Sequence, residues 1–134
     1  MPSYLLDTNH VSRLLDGDDR ITKRVKRVHT GGHVFGISMT VLGELYFAAY
    51  ASRHREANLS RLNAFLRDVF LWDYDRPASE EFGRIRAEQK TKGRPIPPTD
   101  AQIAAVARLH DLMVLSDDRH FTYVNDLKVE NWLV

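Results

Sequence analysis

Short runs of apolar residues, with no polar residues alternating between them, recur along the chain. We predict that they form five strands, at 3–6 (SYLL), 34–37 (VFGI), 69–72 (VFLW), 112–115 (LMVL) and 127–130 (LKVE). Uninterrupted apolar strands are typical of parallel sheets, which helices cover on both faces. The pattern therefore favours a parallel sheet over an antiparallel one.

The longer segments between these runs have apolar residues at helical spacing. Ile21, Val25 and Val28, for example, would share one face of a helix. Helices are predicted at 20–29, 39–51, 55–68, 78–91 and 100–110. Strands that alternate with helices indicate an α/β fold around a mostly parallel sheet. Ligand sites in such sheets gather beyond the carboxyl ends of the strands.

Composition narrows the class of protein. The 134 residues suit a single domain, with a formal charge of +1 and no cysteine, which excludes disulfides and thiolate zinc sites. The Pro- and Gly-rich segment 92–98 (KGRPIPP) is short enough to be a loop within that domain. The apolar run 45–51 is too short to span a bilayer, and the N-terminus lacks a secretory pattern. We expect a soluble, cytoplasmic protein without membrane contact.

Acidic residues occur at corresponding places in these predicted units. Asp7 directly follows the first strand, and Asp117 and Asp118 follow the fourth. Glu44 lies early in the helix after the second strand, and Asp100 opens the helix before the fourth. Because the carboxyl ends of parallel strands lie at one edge of the sheet, these side chains can converge there.

Each acid alone also has a purely structural interpretation. Asp is a preferred helix cap, and Thr99 with Gln102 fits a capping box around Asp100. Together, however, carboxylates about 4 Å apart repel by on the order of 4 kcal/mol per pair at an effective dielectric constant near 20. Such a cluster takes up protons or a cation. Oxygen ligands favour Mg²⁺ or Mn²⁺, which are suited to phosphate chemistry.

Four stretches of the sequence are similar to a known family: LLDTN, ISMTVLGELYFAA, PPTDAQIAAVARLHDLMVLSDDRHF and VENWL. In order and spacing they resemble the PIN-domain ribonucleases, specifically the VapC-type toxins of toxin–antitoxin pairs. The resemblance implies one PIN domain over residues 1–134, folded as a three-layer α/β/α sandwich around a mostly parallel sheet of about five strands.

The resemblance also implies an activity and its site. A VapC-type protein is a Mg²⁺-dependent endoribonuclease, usually a homodimer, that cuts tRNA, rRNA or mRNA and is neutralised by a cognate antitoxin. The family's catalytic, metal-binding acids fall on Asp7, Glu44, Asp100 and Asp118. Its supporting positions fall on Thr8, Asn9 and Ser116.

One departure from the family pattern concerns the fourth acid. Where the family often has Asn this chain has Asp117, so that two acids stand side by side. The spacing to Phe121 favours Asp118 as the ligand and leaves Asp117 in a supporting position.

Two basic segments, 20–29 and 84–94, each contain five Lys or Arg residues. They are either solvated helix faces or surfaces that follow an RNA backbone. Lys92 and Arg94 are the preferred RNA contacts, because they lie beside the loop that leads to Asp100.

Other functions remain as alternatives. The chain could be a catalytically silent acidic domain that only binds within a repressor complex. A receiver-like phosphoacceptor would use Asp73 after the third strand, but the chain lacks a lysine directly after the fourth. Zinc binding by the histidines of HTGGH (29–33) is disfavoured, since the glycines break the helix that would align them. The helix 39–51 is apolar all round, which indicates deep burial together with a surface for a second protomer or an antitoxin.

Overall fold

Five short parallel strands form the centre of the molecule in a computed structural model that describes residues 3–134. They are β1 (Ser3–Leu6), β2 (Phe35–Ser38), β3 (Phe70–Trp72), β4 (Leu112–Leu115) and β5 (Lys128–Glu130). The order across the sheet is β3-β2-β1-β4-β5, and every neighbouring pair is parallel. The predicted parallel sheet is therefore confirmed.

Six helices connect the strands. They are α1 (Thr8–Leu15), α2 (Asp19–Thr30), α3 (Met39–Ala51), α4 (Arg55–Leu66), α5 (Arg76–Lys92) and α6 (Pro98–Leu109). A 3₁₀ helix at Arg119–Tyr123 precedes β5. Helix α1 contacts α2, α3 and α4, while α5 packs along α6. The outcome is the predicted three-layer α/β/α sandwich.

The centre of the sheet positions the carboxyl ends of its strands. Strand β1 pairs with β2 on one side and with β4 on the other, with Leu6 opposite Leu115. Both leucines are buried, so this register is fixed by the core. The residues that follow, Asp7 and Ser116, therefore emerge side by side.

The chain leaves β1 in one direction to form β2 and returns past it to form β4. This reversal is the topological switch point of an open α/β sheet, where a crevice forms beyond the strand ends. The backbone N–H of Asp7 donates to the carbonyl of Leu115 across this point, at 2.9 Å. The fold thus places the first acid of the chain at this switch point.

Some predicted boundaries and one predicted cap are wrong. Strand β2 begins at Phe35 rather than at residue 34, and α6 begins at Pro98 rather than at residue 100. No side chain caps α6, because its N-cap residue is Pro97, whose ring has no acceptor, while Pro98 presets the backbone at the first helical position. The capping box is therefore absent, and Oε1 of Gln102 instead accepts from the Thr40 hydroxyl at 3.1 Å.

Helix α3 is buried on one face only. Val41, Leu45 and Ala49 lie in the core, whereas Phe47 and Tyr50 are 74% and 53% exposed. Deep burial therefore accounts for only part of its apolar sequence. None of the helices in the described part of the chain is long and apolar enough to cross a membrane.

Candidate metal centre

Asp7 begins the site at the junction between β1 and α1. Its Oδ1 accepts from the backbone N–H of Thr8 at 2.8 Å and so caps α1. Its Oδ2 accepts from the hydroxyl of Ser116 at 2.7 Å. The structural and functional interpretations of Asp7 are thus compatible, because one oxygen closes the helix while the other faces the end of β4.

Asp7 is buried, and its surroundings oppose its charge. Burial raises the pKa of the Asp7 carboxyl, and the two hydrogen bonds from Ser116 and Thr8 offset that rise only in part. The negative charges of Glu44 and Asp118 raise the pKa further. Asp7 therefore lies within the electrostatic range of two of the other predicted acids.

Glu44 lies on the exposed side of α3 and joins the site through Thr8. The Thr8 hydroxyl donates to Oε1 of Glu44 at 2.8 Å. The hydrogen bond from Thr40 to Gln102 ties the start of α3 to α6, and so keeps the two acid-bearing helices together. Glu44 is the outermost of the four predicted acids.

The two adjacent acids after β4 point to different partners. The backbone N–H of Asp118 donates to Oγ of Ser116 at 2.9 Å, so one hydroxyl joins Asp7 to the start of this turn. Asp117 is exposed and accepts from the side-chain amide of Asn9 at 3.3 Å. The geometry therefore places Asp117 at the flank and Asp118 towards Asp100.

Asp118 caps the 3₁₀ helix and shares its neighbourhood with Asp100 and His120. Its Oδ1 accepts from the backbone N–H of His120 at 2.9 Å. The imidazole Nδ1 of His120 lies 2.8 Å from Oδ1 of Asp118 and 3.5 Å from Oδ2 of Asp100. Among residues 3–134, this trio is the one group of three or more acids or histidines whose ligand atoms lie close enough for a single ion, all within 4.8 Å.

The pKa values of the two aspartates of this group are shifted in opposite directions. Burial, the proximity of Asp118 and the charge of Asp7 raise the pKa of Asp100 to about 7. Burial pushes the pKa of Asp118 upwards too, but hydrogen bonds from the backbone N–H of His120 and with Asp100 outweigh it and lower that pKa. Such opposite shifts are expected where two carboxylates meet without a cation between them.

The donor set fits a divalent metal. Nδ1 of His120 lies 2.8 Å from Oδ1 of Asp118 and 3.5 Å from Oδ2 of Asp100, so one nitrogen and two oxygens face one another. Carboxylate oxygens and an imidazole nitrogen are ordinary ligands of divalent cations.

Sequence reasoning missed His120. The available signal was its position two residues after Asp118, close enough for a short turn to bring both side chains to one face.

The residues of the other predicted functions lie elsewhere. Neither His29 nor His33 of HTGGH belongs to the group formed by Asp100, Asp118 and His120. Asp73 follows β3, which is an edge strand separated from β1 by β2.

The predicted RNA contacts have partners within the chain. Nζ of Lys92 donates to the carbonyl of Tyr123 at 2.9 Å and to Oδ1 of Asn125 at 2.6 Å. The guanidinium of Arg94 lies 4.7 Å from the centre of the Tyr123 ring. Both side chains therefore adjoin the segment that follows His120.

Comparison with known proteins places the chain among relatives of one kind. The family profile described as PIN domain matches residues 4–127. The chain is 32% identical to Ribonuclease VapC2 of Haemophilus influenzae over 134 residues, covering 99% of this chain and all of that protein. It is 37% identical to the tRNA(fMet)-specific endonuclease VapC of Shigella flexneri over 97 residues, or 72% of this chain and 74% of that one.

A solved structure has the same fold. The crystal structure of DNA-bound VapBC from Salmonella typhimurium contains a chain that superposes with a TM-score of 0.88 at 30% identity. The match covers 98% of this chain and 99% of that one. The similarity thus extends over nearly the whole chain.

Proposed function

This chain belongs to the PIN-domain family, among its VapC members, and on that premise we propose that it is a divalent-metal-dependent endoribonuclease that acts as the toxin of a toxin–antitoxin pair. The observation that carries the proposal is the approach of Asp7, Asp100 and Asp118 to one another beyond β1 and β4, where the other two acids raise the pKa of Asp100. In residues 3–134, His120 rather than a Lys or Arg lies within ion-pair distance of Asp100 and Asp118. A group of acids without a permanently charged Lys or Arg beside it is suited to a cation.

We assign two roles to the residues of the site: four acids bind the cation, and their neighbours orient those acids. Asp7, Glu44, Asp100 and Asp118 would hold Mg²⁺ or Mn²⁺. When bound, a divalent cation polarises phosphoryl oxygens and lowers the pKa of a bound water. Ser116 orients Asp7 through its hydroxyl, and Thr8 orients Glu44. Asn9 and Asp117 brace the flank of the crevice.

The substrate and the partners follow from the same premise. An acidic centre repels a phosphate backbone, so nearby cations have to hold the RNA. Lys92 and Arg94 are proposed for this role. The relative from Shigella flexneri is named for tRNA(fMet), which makes tRNA the first substrate to test.

We propose that the exposed side of α3 receives a second protomer or the antitoxin. Phe47 and Tyr50 leave an apolar area there that a partner would cover. The solved relative named VapBC, bound to DNA, supports the antitoxin as one such partner.

The deciding experiment measures RNA cleavage by purified protein with Mg²⁺ or Mn²⁺ and with EDTA. Wild type should cut in a metal-dependent way, and Asp100→Asn should be inactive while keeping its fold. Asp73→Asn is the matched control, since Asp73 is an exposed acid that directly follows the edge strand. Equal cleavage by wild type and Asp100→Asn would overturn the proposal. Binding of RNA without cleavage by any of the three would favour a silent binding domain.

A further inference from the structure

His120 is placed like a metal ligand, although no acid pattern in the sequence includes it. It lies in the 3₁₀ helix directly after Asp118, and the Asp118 carboxylate accepts from its backbone N–H at 2.9 Å. The imidazole packs edge-on against Tyr123, with ring centres 5.9 Å apart. Backbone and ring are thus held from two sides, which leaves Nδ1 near both aspartates.

Polar atoms of three side chains meet at one point. Nδ1 of His120 lies 2.8 Å from Oδ1 of Asp118, an ion-pair contact that helps to lower the pKa of Asp118, and 3.5 Å from Oδ2 of Asp100. Among the residues that the structure describes, His120 rather than a Lys or Arg lies within ion-pair distance of these two acids. One nitrogen and two oxygens that approach so closely form a donor set that a divalent cation can bind.

The spacing fits one octahedral ion. Adjacent ligands bonded at about 2.1 Å lie about 3 Å apart, and opposite ligands about 4 Å apart. The ligand atoms of Asp100, Asp118 and His120 all lie within 4.8 Å of one another. The trio can therefore contact a single ion with small side-chain adjustments.

We propose that Nδ1 of His120 binds the metal together with Asp100 and Asp118, and that the site consequently selects Mn²⁺ over Mg²⁺. The inference rests on the proposed function, because it assigns the metal of that same site. Imidazole is a softer ligand than carboxylate or water, and Mg²⁺ strongly prefers oxygen. Replacing one oxygen ligand by nitrogen therefore favours a transition metal.

The experiment measures Mn²⁺ itself, independently of RNA cleavage. Pulsed electron paramagnetic resonance of Mn²⁺ bound to wild type should show coupling to an imidazole ¹⁴N. The coupling should vanish in His120→Asn and persist in His110→Asn, the matched control, because His110 is exposed at the opposite end of α6. The His120→Asn variant keeps the backbone N–H at position 120 that donates to the Asp118 carboxylate.

Calorimetric titration with each metal gives the second readout. The ratio of Mn²⁺ to Mg²⁺ affinity should fall at least about tenfold in His120→Asn, since even indirect supports of a metal site contribute that much. Absence of Mn²⁺ binding, absence of ¹⁴N coupling in wild type, or an unchanged ratio in the variant would each overturn the assignment.

The two proposals fail in different ways. Metal-dependent cleavage without ¹⁴N coupling would overturn the role of His120 and leave the nuclease in place. Coupling that is present in a protein that cuts no RNA would support the role of His120 and overturn the nuclease.

Discussion

The two ends of α6 carry charged clusters of similar burial and opposite character. At its N-terminal end the side chain of Asp100 is 13% exposed and faces Asp118. Near its C-terminal end Arg108, 12% exposed, lies 3.3 Å from Glu81, which is also 12% exposed, and 2.8 Å from Glu88. Both clusters are on one helix, so their difference comes from their neighbours.

The pKa shifts show what the neighbours do. Burial raises the pKa of Asp100, and the nearby acids raise it further, to about 7. Burial also pushes the pKa of Glu81 upwards, but hydrogen bonds from Arg108 and Arg84 outweigh it and leave that pKa lowered. At similar burial, an arginine neighbour therefore lowers the pKa of a carboxyl, whereas an acidic neighbour raises it.

Asp7→Asn should have the largest effect, on activity. We expect RNA cleavage to fall at least about 100-fold, the scale on which removal of one preorganised electrostatic group acts. Glu81→Gln is the control at the other end of the comparison and should keep its activity while losing stability. Single-turnover cleavage and thermal melting measure the two effects. Comparable cleavage by both variants would remove the distinction between the clusters.

Arg108→Met should have the largest effect on stability. It leaves Glu81 and Glu88 without the cation between them, as breaking a buried ion pair does. Because this pair is partly hydrated, we expect a loss of about 2–3 kcal/mol in the free energy of unfolding. Urea denaturation measures it. Arg86→Met is the control, since Arg86 is exposed over the Phe82 ring and should cost less than about 1 kcal/mol.

Asp100→Asn should act in the opposite direction in metal-free protein. The folded-state pKa of Asp100 lies above its value in the unfolded chain. Between these two pKa values the unfolded chain binds fewer protons than the folded protein. The free energy of unfolding of wild type should therefore fall as pH rises from about 4 to about 7. The variant lacks this slope, and we expect it to be about 1–2 kcal/mol more stable at pH 8, after discounting for hydration. Urea denaturation in EDTA at pH 5 and pH 8 tests this. Parallel pH profiles for the two proteins would contradict it.

Lys92→Met should have the smallest effect. Losing the bonds to Tyr123 and Asn125 should cost about 1 kcal/mol of folding free energy. If Lys92 also contacts phosphate, the salt dependence of RNA binding should become shallower by about one unit. Filter binding at several salt concentrations measures this. An unchanged slope would restrict Lys92 to a structural role, like Arg108.

Strand ends were more predictable than side-chain neighbours. The apolar runs that end before Asp7 and Ser116 set the sheet, because burial on both faces fixes the register of β1 against β4. The start of α6 was not predicted correctly, since Pro98 rather than a capping side chain determines it. His120 was missed because its ring is oriented by Asp118 and Tyr123, and Asp118 is in turn held by Ser116. Such a chain of contacts exists only once the sheet has formed.

The pairing of β1 with β4 has a consequence for synthesis on the ribosome. Asp7 is translated early, but its partner Ser116 lies 109 residues later, and Trp132 donates its backbone N–H to the buried His10 across 122 residues. Contacts of such long range form late, after the intervening chain has emerged. Until residues 112–132 leave the ribosome, Asp7 lacks the neighbouring strand β4 and the hydroxyl of Ser116. The proposed metal site is thus completed only when nearly the whole chain has been translated.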